Sequence, residues 1–286
     1  MVTFYPSETG LLVRSCNINQ DKREAQTVTH LKFLNWLVGF TDGDGCFNIY
    51  IDNKGNKINF TFKISQHKRN KRVLHYIKKN LKYGIISKID SSDMVHYNIR
   101  RKDHLEKVIL PLFSYLPLKT IKQEKFLLFK QCFYIYNDPL KDQKYKLIKI
   151  QELIKNPPLI SYFKVPQIRL NKNWLVGFIE ADGSFYITSK DKDRLVHGFG
   201  ITQKYDRIIL SEIQKLFGIK AEVKWNKKGF WSLDSTGYKS LKRIKDYFFK
   251  SFKGVTSLYY RIWSRSFRDR GKFIKLLSVQ KQLRKL

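Results

Sequence analysis

The chain is predicted to be an α+β protein in which one αββαββα-like unit occurs twice, the copies related by a pseudo-twofold axis. Two observations carry that prediction. The first is a repeat: LNWLVGFTDGDGCFNIY (residues 34–50) aligns without a gap to KNWLVGFIEADGSFYIT (172–188), and FKISQHKRNKRVLHYIKKNLKYG (62–84) matches GFGITQKYDRIILSEIQKLFG (198–218) in the same order. The second is a change of period within each copy, from helical spacing to strand alternation and back.

Residues 1–30 are polar, do not repeat, and are expected to form an N-terminal arm. The first repeat is assigned to residues 31–136 and opens on an apolar helix. Gly39 and Gly43 lie on one face of it, as Gly177 and Ala181 do in the second copy. Small residues at that spacing let helix backbones come close, so the two helices are expected to pack on each other at the centre. Gly45 and Gly183 then serve as C-terminal stops. Strands follow. Phe47, Ile49 and Ile51 alternate with Asn48, Tyr50 and Asp52. Beyond an Asn53 to Asn56 turn, Phe60, Phe62 and Ile64 alternate with Thr61, Lys63 and Ser65. In the second repeat (169–286), Phe185 and Ile187 alternate with Tyr186, Thr188 and Lys190. Each hairpin has one apolar and one polar face. Residues 137–168 are read as a linker, punctuated by Pro157, Pro158 and Pro166, with a short helix near Lys144–Ile154.

Apolar residues make up 42% of the chain and aromatics 15%, enough for a real core, which excludes disorder throughout. The net charge is +32, and Lys and Arg are spread through the folded regions rather than gathered in a tail. A basic globule is built to lie on a polyanion, so nucleic acid is the expected partner. Cys16, Cys46 and Cys132 have neither metal-ligand spacing nor an even count, which fits a reducing compartment. No apolar run approaches the length of a membrane span, and the N-terminus has no secretory pattern. Richness in Lys, Ile, Asn, Phe and Tyr suits an AT-rich organellar gene, a mitochondrion before a chloroplast.

Packing the two helices would bring Asp44 and Asp182 together at their C-termini, where unpaired carbonyls add negative charge. Two acids so placed repel unless a cation lies between them, and hard oxygen ligands suit Mg²⁺. These residues carry a resemblance. Leu37 to Gly45 and Leu175 to Gly183 each resemble the LAGLIDADG motif, and the likeness covers about 31–136 and 169–270. The chain is therefore similar to the two-motif, single-chain LAGLIDADG homing endonucleases. That resemblance implies hydrolysis of both DNA strands across the minor groove, leaving short 3′ overhangs at a long asymmetric site. Two or three divalent ions go with the reaction, Mg²⁺ or Mn²⁺ for cutting, with Ca²⁺ supporting binding alone. The resemblance makes Asp44 and Asp182 metal ligands, with the backbone carbonyls of Gly43 and Ala181 beside them. It matches Gln66 and Gln203 to water-ordering residues and Lys122 to a basic residue ahead of the closing helix. The second copy has Thr256 or Ser257 there, with Lys253 displaced. Asp42 and Glu180 are left out of the chemistry.

By the same analogy, two antiparallel sheets form a DNA-binding saddle whose outward residues read bases. In the first half these are Asn48, Tyr50, Asp52, Thr61, Lys63, His96, Asn98 and Arg100. In the second they are Tyr186, Thr188, Lys190, Lys224, Ser232 and Asp234. Lys68, Arg69, Lys71, Arg72, Lys227 and Lys228 suit phosphates. Two unlike halves in one chain fit a monomer on asymmetric DNA. The rival reading is an RNA maturase that assists group I intron splicing with the same fold, its partner intron RNA. Both acids and both glutamines being present favours cleavage.

Overall fold

The computed structural model describes residues 20–52, 57–158 and 170–286. Its elements run in the same order twice. Helix α1 (Gln20–Asp44) leads into strands β1 (Gly45–Ile51) and β2 (Ile58–His67), helix α2 (Lys71–Leu81), and strands β3 (Ile85–Ile86) and β4 (Met94–Ile99). Helix α3 (Lys102–His104) passes through a π turn (Leu105–Ile109) into α4 (Leu110–Tyr115), and α5 (Lys122–Asn137) closes the half. Helix α6 (Gln143–Lys155) follows in the linker. The second half has α7 (Lys172–Asp182), β5 (Gly183–Asp191), β6 (Arg194–Gln203), α8 (Arg207–Phe217), β7 (Lys224–Asn226), β8 (Phe230–Ser235), α9 (Tyr238–Tyr247), α10 (Thr256–Arg265) and α11 (Phe273–Lys285).

Helix α1 begins at Gln20, within the segment expected to be an arm. No Gly or Pro interrupts residues 20–38, so α1 continues N-terminally through polar sequence from Gln20. Residues 1–19, with Cys16, lie outside the described residues, as do the Asn53 to Asn56 turn and residues 159–169 of the linker. The linker helix is present, capped by the Asp142 carboxylate, which accepts from the Tyr145 N–H.

Each half builds a four-stranded antiparallel sheet, in the orders β1-β2-β4-β3 and β5-β6-β8-β7. Register follows the alternation. Phe47 pairs with Phe62, and Phe185 with Phe199, which places the aromatic face of each sheet against the helices. In the first half Phe47 meets Phe62, Phe113, Phe126 and Phe129 at ring distances of 5.2–5.6 Å. In the second Phe185 meets Phe199, Phe252, Tyr260 and Trp263 at 5.0–5.6 Å. One continuous core joins both halves through α1 and α7, and a small separate cluster of Ile187, Leu195 and Leu276 lies under α11. Among the described residues no helix is long and apolar enough to cross a membrane.

Candidate active site

The contact between α1 and α7 creates the site. A Cβ on Gly39 would stand 1.9 Å from the Trp174 carbonyl oxygen, and one on Gly177 would stand 2.0 Å from that of Trp36. The backbones therefore touch where the sequence places its small residues. One turn later a Cβ on Gly43 would lie 2.3 Å from the Ala181 Cβ and 3.0 Å from Asp182 Oδ2. The helices approach side by side with both C-termini at the same end, and Asp44 and Asp182 are their last residues. The glycines that follow stand where the helices stop, as expected, but by another means than a left-handed cap. Gly183 is extended, at φ −81° and ψ 148°, so left-handed backbone is not its purpose. Lack of room is: a Cβ on Gly45 would lie 2.3 Å from Thr41 Cγ2, and one on Gly183 would lie 2.6 Å from Ile179 Cγ2.

Burial sets the charge state of this corner. Burial first and the neighbouring Asp182 charge second raise the Asp44 carboxyl to about 7, against the Gln66 hydrogen bond and the Lys122 charge. Asp182 is raised too, chiefly by burial, against Lys122 and Gln203. Gln66 Nε2 donates to Asp44 Oδ2 at 2.6 Å, and Gln203 Nε2 donates to Asp182 Oδ2 at 2.7 Å. The Lys122 ammonium, at the start of α5, donates to the backbone carbonyls of Thr41 (3.2 Å) and Gly43. Burial lowers its basicity, while Asp182, Asp44 and Asp42 act to raise it. A cation is therefore already favoured on the Gly43 carbonyl beside two acids, and the donors are all hard oxygens, which fits a divalent ion. Among the described residues no three His, Cys, Asp or Glu side chains gather. An ion here would complete its shell with backbone oxygens, water and substrate phosphate.

Asp42 and Glu180 are structural clamps. Asp42 is 1% exposed and accepts from the backbone N–H groups of Lys119 and Thr120, the Thr120 hydroxyl and, across the halves, Trp174 Nε1 at 2.7 Å. Glu180 is 3% exposed and accepts from the Lys253 and Gly254 N–H groups and from Trp36 Nε1 at 2.9 Å. Each acid therefore ties its own half's closing loop to the other half's central helix. The same pattern equates Lys253 with Lys119, not with Lys122. The counterpart of Lys122 is Thr256, the first residue of α10, whose hydroxyl donates to the Glu180 carbonyl oxygen at 3.1 Å.

The residues expected to read DNA lie apart from this corner, on the sheet faces turned away from the core. Asn48 pairs with Thr61 and Lys63 with Asn98, while Arg100 is exposed just beyond β4. In the second sheet Tyr186 pairs with Gly198, Thr188 with Val196, and Ser232 with both Thr202 and Lys224. Tyr50 and Lys190 are exposed. Asp52 is half-buried just after the end of β1, and its carboxylate accepts from the Lys57 N–H at 3.2 Å. Tyr186 and Asp234 engage each other, the phenol donating to Asp234 Oδ1 at 2.9 Å over Gly198 and Gly200. Lys68 is exposed and pairs with Asp93 at 2.9 Å, and exposed Arg69 donates to the Leu286 carbonyl oxygen. Lys71, Arg72, Lys227 and Lys228 are exposed.

Other residues of the site escaped the sequence reading. Ser65 Oγ lies 3.0 Å from His96 Nδ1, and Asp90 Oδ2 lies 3.1 Å from Nε2, which fixes the ring of His96 on the outward face. Ser65 already stands on the polar side of the strand alternation, and only its partnership with His96 is new. Asp90, in a loop, carried no such signal.

The LAGLIDADG endonuclease family profile matches residues 37–133 and 175–265. A probable intron-encoded endonuclease, Cox1-I1b of Schizosaccharomyces pombe, is 41% identical over 89% of this chain and 69% of its own length. The mitochondrial protein RF1 of Saccharomyces cerevisiae is 28% identical over 68% of this chain and 39% of its own length. Among solved structures, the LAGLIDADG meganuclease I-AabMI bound to uncleaved DNA superposes with a TM-score of 0.72 at 20% identity, covering 87% of this chain and 98% of that one. I-SmaMI bound to uncleaveable DNA gives a TM-score of 0.74 at 19% identity, covering 88% and 99%. With both motifs matched, both sheets in the same order and both acids at the helix ends, this chain belongs to the LAGLIDADG endonuclease family.

Proposed function

We propose that the chain is a site-specific homing endonuclease that hydrolyses both strands of a long asymmetric DNA duplex, using Mg²⁺ and leaving short 3′ overhangs. One observation carries the reading: two half-buried acids meet at the ends of packed helices, each with a glutamine amide on its Oδ2. Asp44, Asp182 and the Gly43 and Ala181 carbonyls would hold the metal, which when bound would polarise the scissile phosphates and lower the pKa of water. Gln66 and Gln203 orient the attacking water. Lys122 offsets charge on the phosphate as the oxygen–phosphorus bond to water forms and the bond to the 3′ oxygen breaks. The outward sheet faces read bases, and the exposed lysines hold the backbone. The protein acts as a monomer, and the likeness to the mitochondrial protein RF1 supports a mitochondrial setting.

The test is a cleavage selection on a randomised duplex library in Mg²⁺ and in Ca²⁺, with Asp44→Asn as control. Recovery of one long asymmetric site in Mg²⁺, lost in the mutant, supports the reading. Tight specific binding without cutting in either metal would make the protein a DNA-binding regulator. Absence of both binding and cutting would turn attention to intron RNA.

A further inference from the structure

We propose that Asn70 is a positioning residue for strand cleavage, transmitting the docking of the second half to the amide of Gln66; the proposal rests on the endonuclease reading above. Asn70 ends the 3₁₀ turn after β2 and is 7% exposed. Its Nδ2 donates to Gln66 Oε1 at 2.6 Å, and its Oδ1 accepts from the Val255 N–H at 2.8 Å. Val255 belongs to the second half, in the loop ahead of α10.

The direction of this chain of bonds is fixed from the Val255 end. A backbone N–H can only donate, so Asn70 must turn its oxygen to Val255 and its amino group to Gln66. Gln66 then accepts on Oε1 and is left with its amino group for Asp44. The amide of Gln66 therefore has one orientation, and reversing it would set its amino group against the Asn70 amino group. Room for the arrangement is made in the second half: a Cβ on Gly254 would lie 2.3 Å from Asn70 Oδ1.

Among the described residues the pseudo-symmetric corner has no such chain of bonds. There Asp206 Oδ1 accepts from the Ile121 N–H at 2.8 Å, the counterpart of the Val255 contact. An ionised carboxylate has no N–H to offer Gln203. Asn70 thus makes the first half's glutamine dependent on the second half's loop, and the relation runs one way.

Asn70→Asp keeps an oxygen for Val255 and removes the donor to Gln66, and Asn70→Ala removes the donor without adding charge. On the selected target, strand-resolved single-turnover rates should fall about tenfold in both variants, the worth of one hydrogen bond, with the strand pattern of Gln66→Ala. Target affinity in Ca²⁺ should stay within about twofold, since the Asn70 side chain bonds inward to Gln66 and Val255. In the Gln66→Ala background neither substitution should slow cleavage further, whereas a merely structural role would add its own loss. A second readout needs no metal: the Gln66 side-chain amide resonance in the ¹⁵N-labelled free protein should shift and exchange faster in Asn70→Asp. Unchanged rates in both variants, or additive losses with Gln66→Ala, overturn the proposal. A wild-type protein that binds its target without cutting would instead sink the endonuclease reading, and the amide resonance would still report whether Asn70 holds Gln66.

Discussion

The two halves end their central helices on the same acid, yet the groups around each acid differ. Asp44 has Gln66 held by Asn70, while Asp182 has Gln203 with Asp206 in the corresponding place. Lys122 reaches the Gly43 carbonyl, while its counterpart Thr256 reaches only the Glu180 carbonyl. The clamps, in contrast, are matched. Asp42 and Glu180 each take one tryptophan N–H from the other half and two backbone N–H groups from their own. The difference teaches that symmetry is kept where the halves dock and relaxed where they carry chemistry. Docking needs two equivalent helix faces to close a single interface, whereas each cut needs only a sufficient set of groups.

The largest test of that division concerns the acids. If Asp44 and Asp182 share metal, Asn at either position should slow both cuts by about a thousandfold or more while binding in Ca²⁺ persists. Loss of one strand's cleavage alone would show instead two independent centres. The docking interface gives the next effect. Gly39→Ala and Gly177→Ala each place a methyl against a helix carbonyl, and each should destabilise the fold by about 2–4 kcal/mol in denaturant unfolding. A marked inequality between the two would break the symmetry claimed for the clamp. Smaller still is the effect of the basic group. Lys122→Met should slow cleavage by about 10–100-fold, whereas Thr256→Val should change it by less than about threefold, as read by nicking of supercoiled target plasmid.

The smallest effect is a pH dependence at Asp206. Burial raises its carboxyl to about 6 from an ordinary value of 3.8, with the Ile121 N–H and Lys122 pulling the other way. A raised carboxyl means the folded state holds the proton more tightly than the unfolded state. Stability from this group is present below pH 3.8 and is lost as pH rises through about 6. Asp206→Asn keeps an acceptor for Ile121 and removes the ionisation. It should flatten the stability profile between those pH values and add on the order of 1–2 kcal/mol above pH 6. An unchanged profile in urea titrations would remove Asp206 from the comparison.

Much of this could be read in the chain before any coordinates. Strand alternation around Phe47 and Phe185 predicted which face meets the helices, because burial selects one parity of a strand. The small-residue stripe predicted the central contact, because only Gly or Ala permits carbonyls at such distances. Two strands, β3 and β7, are only two and three residues long and are too short to show a period. The length of α1 was missed because polar residues without Gly or Pro read equally well as arm or helix. Strand parity and the family analogy place Asp52, Tyr186 and Asp234 on the outward face, but parity says which way a side chain points and nothing of its neighbour, so the Lys57–Asp52 and Tyr186–Asp234 bonds were not legible.

The sequence by itself determined the duplication, the pairing of two acids at helix ends, and the basic surface, since these follow from residue type and local spacing. Only the tertiary structure decided the partners. Trp36 and Glu180 are 144 residues apart, and Val255 and Asn70 are 185 apart. A hydrogen bond at that separation depends on how two loops and two helices are carried into place, and no local pattern records where a side chain will arrive.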